Sequence, residues 1–503
     1  MKNHRPNILI LFTDMQRADT IHALGNPIIK TPHLDRLVAE GTAFTNCFSP
    51  SPVCCPARCC MHYGLYPQKT GLFDNGPMMD DNGASYPALL GEQGYRTHAI
   101  GKCHFTPDRQ ALRGFQSRQS QEEVTADPDA DEYIAWLRDN DYDYYEAHGA
   151  RGDMYYIPQV STLPAEAHPT QWVGTESERF VRESANGEQP WCLYSSYIHP
   201  HPPFAPPKPW HKLYRVPEMP LPFIPENSES LHTWVNRFQN RYKYRDRGLD
   251  MNLIRLIIAY YYATISFVDY QVGRILNALE ETGQLDNTLI LFASDHGEHL
   301  GDLGCFGKRS MHDASARVPM IVRYPERFPM GARCATATSL CDLLPTVVGA
   351  ANGSNEALGL DALNVDGQDL AQIAANPDPE RIVYAQFAKE DRAIYMAVSE
   401  RWKYVYSAGD QSEFFFDRQV DPAEARNLAN EDGSLAKMTM KENLLAYLAS
   451  VGANEAVREQ GGELAWKEYP KIDETYLADP DARLLFQDYP SYPTELPGYS
   501  DAI

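Results

Sequence analysis

Short apolar runs alternate with polar and helical-period stretches through the larger part of the chain. The first, Ile8–Phe12, is a continuous apolar block that ends at Thr13-Asp14, the pattern of a parallel strand buried on both faces. Thr97–Ile100, Trp191–Tyr197 and Leu289–Ala293 repeat it, and Ala314–Val322 leads into a further strand. Helices are predicted between them. Pro32–Glu40 has Thr31 as N-cap, Pro32 in its first position and Gly41 as its stop. Val53–Tyr63 reads as a strand-to-helix switch, and Ala88–Gln93 is closed by Gly94. Ile254–Thr282, followed by Gly283, carries the clearest apolar stripe. Residues 105–190 are polar, rich in Tyr and Asp and weakly periodic, which predicts an insertion over the sheet's active edge. Residues 205–230 are Pro-rich and predict an extended loop.

Near residue 380 the pattern changes. Arg392–Val398, Lys403–Ser407 and Glu413–Phe416 alternate as antiparallel strands, with a covering helix at Met438–Val451. The last fifty residues are rich in Tyr, Pro and Asp and predict an extended arm, which leaves room for a homo-oligomer. A chain of 503 residues exceeds one core, since single cores stop growing at roughly 250–300 residues. The expected architecture is α/β: an α/β/α domain on a large mixed, mostly parallel sheet over 1–380, a C-terminal antiparallel sheet with a helix over 381–455, and the arm over 456–503.

Apolar residues make up 43% of the chain, which suits a folded core, and the formal net charge of −23 argues against nucleic-acid or membrane-surface partners. An anionic substrate would therefore need a locally basic pocket. No run is long and apolar enough for a leader or a bilayer span, so the expected location is cytoplasmic, or periplasmic or secreted if a leader was removed. Four of the ten cysteines crowd into Cys54–Cys60, where neighbours pair poorly as disulfides; reduced thiols acting as small buried hydrophobes fit better. The same cluster lacks the Cys-x₂-Cys spacing of a zinc knot.

Chemistry enters at the strand ends. Parallel strands would bring Asp14 and Asp295-His296 to one edge of the sheet, and two carboxylates with an imidazole make a divalent-metal site. Cys54, at a helix N-terminus, faces the positive end of the helix dipole, which lowers a thiol pKa and favours an oxyanion. Lys102, His104, His201 and Lys308 add cationic or proton-transferring groups, and Asn75 offers a pocket amide. Together these groups suit transfer of a tetrahedral anion. His199, His299 and His312 read as structural, the Tyr260–Tyr262 cluster as core, and the acidic run 127–132 as solvated surface.

Cys54-Cys55-Pro56-Ala57-Arg58 resembles the Cys-x-Pro-x-Arg signature of the formylglycine-dependent sulfatases, in the alkaline-phosphatase superfamily, and Gly64-Leu65-Tyr66-Pro67 follows as it does there. Arg5 through Asp14, Gly101-Lys102-Cys103-His104, Pro200-His201-Pro202, Ser294-Asp295-His296-Gly297, Gly307-Lys308 and Arg317-Val318-Pro319 resemble further family motifs in the same order. Lys403-Tyr404, Phe416-Asp417, Asp421 to Glu424 and Asn427-Leu428 resemble its C-terminal subdomain, so the likeness covers most of residues 5–430. The resemblance implies an alkaline-phosphatase-like fold, hydrolysis of an aryl or carbohydrate sulfate, and conversion of Cys54 to formylglycine by a formylglycine-generating enzyme. One hydroxyl of the aldehyde hydrate would attack sulfur, and the other would let the covalent ester collapse. It also implies a metal held by Asp14, Asp295, His296 and residue 54, with Arg58 and Lys102 neutralising charge. His104 would take a proton, and Lys308 and His201 would bind sulfate oxygens.

Two departures stand out. Met15 occupies a position where many members carry a second carboxylate, and His296 one where many carry Asn. Losing a carboxylate and gaining a nitrogen shifts the expected ion from Ca²⁺ toward Mn²⁺. His296 also resembles the phosphonate monoester hydrolase and choline sulfatase branches, whereas Lys102 and His104 resemble sulfatase residues. A phosphonate monoester or phosphodiester hydrolase is therefore the alternative, and a non-catalytic binding protein on the same scaffold a second.

Overall fold

The computed structural model describes residues 5–123, 129–143, 146–151, 155–244, 250–352, 364–431 and 433–474. Eight strands form the central sheet: β1 (Asn7–Asp14), β2 (Thr42–Phe44), β3 (Arg96–Gly101), β4 (Ser117–Ser120), β5 (Trp191–Pro200), β6 (Thr288–Ser294), β7 (Met320–Arg323) and β8 (Ala332–Cys334). Their order is β8-β2-β7-β6-β1-β5-β3-β4. The pairings are parallel except those of β7 with β2 and β6. Successive residues of β1 face opposite layers. Ile8, Ile10 and Phe12 pack with α2 (Cys54–Tyr63), and Leu9 and Leu11 pack with α1 (Pro32–Glu40), α3 (Pro169–Ser184) and α5 (Met251–Glu281). This is the α/β/α sandwich the apolar runs predict.

The structure corrects several local expectations. Residues 105–190 are not simply an insertion: they supply edge strand β4, a helix at Glu132–Asp139 and α3. The apolar stripe of α3 is thin because small residues make its contact with α5: a Cβ on Gly174 would come within 2.5 Å of the Gln271 side chain. The Pro-rich stretch 205–230 contains three short 3₁₀ turns, and helix α4 (Trp234–Tyr244) follows it. Thr31 does not cap α1 with its side chain. The cap comes from Asp269 of α5, whose Oδ1 accepts the amides of His33 at 3.1 Å and Leu34 at 2.7 Å. Among the described residues α5 is long and apolar enough to cross a membrane by length and composition, contrary to the expectation that no segment is. It lies against α1, α3 and β5, with 67% of its most apolar window buried.

After residue 380 come β9 (Val383–Phe387), β10 (Ile394–Val398), β11 (Trp402–Ser407) and β12 (Ser412–Asp417), antiparallel in that order. Helix α6 (Leu435–Ser450) covers one face, and a hairpin of Val457–Gln460 and Glu463–Trp466 follows where only an extended arm is predicted. The arm beyond residue 474, and part of the acidic run 127–132, lie outside the described residues. All ten cysteines are buried and free.

Candidate active site and metal centre

The carboxyl ends of β1, β3, β5 and β6 and the start of α2 converge at one edge of the sheet. Asp14 closes β1, Lys102 follows β3, His201 follows β5, and Asp295 and His296 follow β6. Gly101 (φ 92°) is required where β3 ends, since a Cβ there would lie 1.9 Å from the Ser196 carbonyl oxygen. The chain enters α2 extended at Val53, and the orphaned amide of Cys55 donates to Asn75 Oδ1 at 3.1 Å. Asn75, expected as a pocket amide, thus turns its carbonyl to the helix start, and no described hydrogen bond joins it to the ligand cluster.

Cys54 Sγ, one oxygen each of Asp14 and Asp295, and a ring nitrogen of His296 all lie within 4.8 Å of one another, and all four residues are buried. His296 Nδ1 donates to the Gly297 carbonyl at 3.0 Å. This turns Nε2 toward Cys54 Sγ at 3.3 Å, Asp295 Oδ1 at 3.5 Å and Asp14 Oδ1 at 3.6 Å. Two carboxylates and an oriented imidazole fit a divalent cation. Met15 adds no side-chain ligand; its left-handed backbone (φ 68°) aims its amide at Asp295 Oδ1, 3.0 Å away.

Cations enclose this cluster. Arg58, one turn along α2 from Cys54, reaches Asp295 Oδ2 at 3.0 Å and Asp14 Oδ2 at 3.3 Å, and its Nη1 donates to the Lys102 carbonyl, Tyr194 Oη and Ser196 Oγ. Lys102 Nζ lies 2.6 Å from Asp14 Oδ2 and 2.6 Å from Glu123 Oε2. Lys308 Nζ is 2.7 Å from Cys54 Sγ, 3.2 Å from His296 Nε2 and 3.4 Å from His201 Nε2. His104 sits in a left-handed turn (φ 56°) whose amide donates to Glu122, and its Nδ1 is buried with no hydrogen-bond partner among the described residues. His199 turns away, with Nδ1 3.0 Å from Thr170 Oγ1.

Burial and the Asp14 carboxylate push the Cys54 thiol up, but Lys308, Lys102 and His296 outweigh them and hold it well below the usual thiol range. Burial also opposes ionisation of Asp14, and Lys102, His201, Lys308 and Arg58 overcome it. Asp295 lies above the usual carboxylate range, through burial and the nearby Asp14 charge.

Sequence reasoning did not find Glu123, Arg151, Tyr155, Glu298 or Gln239. Glu123 Oε1 meets Arg151 at 2.8 Å and His201 Nδ1 at 3.4 Å, and Tyr155 Oη is 3.3 Å from His201 Nε2. Glu123 follows β4 just as Lys102 follows β3, so recognising that strand would have placed it. Glu298 accepts the amides of Leu300 and Gly307 and the Tyr156 hydroxyl, and Gln239 brackets the Lys308 peptide, so the two hold the Lys308 loop in shape.

A buried thiol held well below its usual range, at a helix start within a metal-type cluster on this sandwich, suits a hydrolase of tetrahedral anionic esters. Residues 6–354 match the family model described as Sulfatase, and residues 301–450 match N-sulphoglucosamine sulphohydrolase, C-terminal. A choline-sulfatase of Rhizobium meliloti is 30% identical, over 91% of this chain and 90% of that protein. An arylsulfatase of Clostridium perfringens is 28% identical, over 85% and 91%. The crystal structure of a phosphonate monoester hydrolase of Agrobacterium radiobacter superposes with a TM-score of 0.74 at 25% identity, covering 92% of this chain and all of that one. The chain belongs to the sulfatase family of sulfuric ester hydrolases, on an alkaline-phosphatase-like fold.

Proposed function

We propose that this protein hydrolyses an aryl or carbohydrate sulfate monoester to an alcohol and sulfate, using formylglycine made from Cys54 and one divalent metal ion. The reading rests on one observation: Cys54 Sγ sits at the start of α2, inside a four-residue ligand cluster, with Lys308 Nζ 2.7 Å away. Asp14, Asp295, His296 and residue 54 would hold the metal, and the carboxylate lost at Met15 together with the nitrogen gained at His296 shifts the preference from Ca²⁺ toward Mn²⁺. When present, the metal supplies positive charge to a sulfuryl oxygen, and formylglycine supplies an attacking hydroxyl and a second one that lets the ester collapse.

The chain's own side chains do the rest. Lys308 and His201 bind sulfuryl oxygens, and one of them protonates the alcohol oxygen as its bond to sulfur breaks. Asp295 receives the proton of the attacking hydroxyl, and His104, with its orphaned Nδ1, receives a proton during collapse. Arg58 and Lys102 balance the carboxylates. These groups are fixed before substrate arrives, which is the arrangement that stabilises developing charge best.

Mass spectrometry of the peptide spanning Cys54, after co-production with a formylglycine-generating enzyme, should show loss of sulfur and gain of an aldehyde, with turnover on a sulfate-ester panel. Cys54→Ala should abolish that turnover while leaving cooperative unfolding intact. An unmodified thiol, or a Cys54→Ala protein as active as the wild type, overturns the reading. His296 and the likeness to the Agrobacterium enzyme support a second reading, a phosphonate monoester hydrolase. A higher kcat/KM for an aryl phosphonate than for the matching aryl sulfate would establish it; Lys102 and His104 favour the sulfate.

A further inference from the structure

Glu123 is a charged group at the site that the proposed chemistry does not use. Its side chain is only 11% exposed. Oε2 lies 2.6 Å from Lys102 Nζ, and Oε1 lies 2.8 Å from Arg151 Nη2 and 3.4 Å from His201 Nδ1. The opposite nitrogen of the same imidazole, Nε2, is 3.4 Å from Lys308 Nζ, which touches Cys54 Sγ at 2.7 Å. The carboxylate is thus one side chain removed from the transferred group, behind residues assigned to neutralise and bind it. Burial would favour its neutral form, but His201, Lys102 and Arg151 keep it ionised.

A fixed negative charge here opposes any bound anion, and opposes a doubly charged one more than a singly charged one. Sulfate and phosphate esters share shape and hydrogen-bonding capacity, which leaves charge as the difference a pocket can read. A sulfate monoester carries one negative charge, whereas a phosphate monoester carries close to two above its second pKa of about 6. Screening by salt is weak for buried charges, so the second charge is felt. We propose that Glu123 is a specificity-determining residue that tunes the site to singly charged tetrahedral esters and disfavours doubly charged phosphate monoesters. This rests on the sulfate-ester reading of the same site.

The test compares kcat/KM for 4-nitrophenyl sulfate and 4-nitrophenyl phosphate at about pH 8 in the matured wild type, Glu123→Gln and Glu123→Asp. Gln keeps an acceptor for Lys102 and Arg151 but removes the charge; Asp keeps the charge. The phosphate-to-sulfate ratio should rise at least ~10-fold in Glu123→Gln and stay near the wild-type value in Glu123→Asp. A role confined to holding Lys102 and Arg151 in place would lower both rates together, and an unchanged ratio overturns the inference. The wild type alone gives a second reading that does not depend on a variant folding. Its ratio should climb as pH falls through about 6 and the phosphate ester gains a proton, because titration of the enzyme's own groups cancels between the two substrates. A ratio flat across that range also overturns the inference. Wild type that turns over no sulfate ester overturns the underlying reading, and the inference with it, whereas brisk sulfate turnover with an indifferent ratio removes Glu123 alone.

Discussion

Lys308 Nζ lies within 3.4 Å of Cys54 Sγ, His296 Nε2 and His201 Nε2 at once, so a single side chain joins the three positions proposed as nucleophile, metal ligand and substrate-binding imidazole. Truncating it should strip transition-state stabilisation without opening the core, because Gln239 and Glu298 hold its loop through backbone contacts. Lys308→Ala should lower kcat/KM for a sulfate ester by about 10²–10³-fold with little change in melting temperature, and unchanged kinetics would reject its role. At this scale the site was largely legible, because ordered motifs name Asp14, Cys54, Arg58, Lys102, His201, Asp295, His296 and Lys308, and the fold gathers them. Two features were not legible, the bond made by the Asn75 carbonyl and the placement of Glu123. A neighbouring helix amide captures the Asn75 carbonyl, which no spacing rule reports, and Glu123 sits after a short polar strand that carries no apolar signal.

At the scale of elements, apolar runs located the central strands to within three residues at each end, since strands buried on both faces write themselves as unbroken apolar blocks. The α1 cap was misassigned because the capping group lies 235 residues from Leu34 in sequence, on α5. That cap has a pH consequence. Burial raises the Asp269 carboxyl to about 7, only partly offset by the amides of Leu34 and His33. A folded value above the unfolded one, about 3.9, means that the native state binds the proton more tightly. The resulting stability is fully present below about pH 4 and lost as pH rises through about 7. Asp269→Asn keeps an acceptor for both amides and cannot titrate. Denaturant unfolding should therefore show the wild type losing stability relative to Asp269→Asn between about pH 4 and pH 7. A difference independent of pH would mean that the cap does not titrate in that window.

At the scale of the whole molecule, the C-terminal sheet is anchored to the catalytic layers by a buried ion network rather than by apolar packing alone. Lys403 of β11, fully buried, contacts both Asp313 and Glu424 and donates to the Met311 carbonyl at 2.9 Å. Arg418 adds a contact to Asp313 at 2.8 Å and one to Asn46 Oδ1 at 3.0 Å, tying the segment after β12 to the loop after β2. The network could not be read from the sequence, where Lys403 and Asp313 lie ninety residues apart and only Lys403 falls in a family-like motif. Buried pairs gain little over apolar replacements of the whole set, but removing one partner strands charge in a low-dielectric interior. Lys403→Met should therefore destabilise the protein by about 3–5 kcal/mol, whereas Val420→Ser, at an exposed position, should stay within about 0.5 kcal/mol. The shape of the transition carries the larger information. If the network couples the two parts, Lys403→Met should split a single unfolding transition into two, with the C-terminal sheet melting first and sulfate-ester turnover falling in step with it. A single, merely shifted transition would instead mean that the shared core between β9 and the catalytic layers, where Val383, Ala385 and Phe387 pack with Phe48 and Val53, holds the molecule together without the ions.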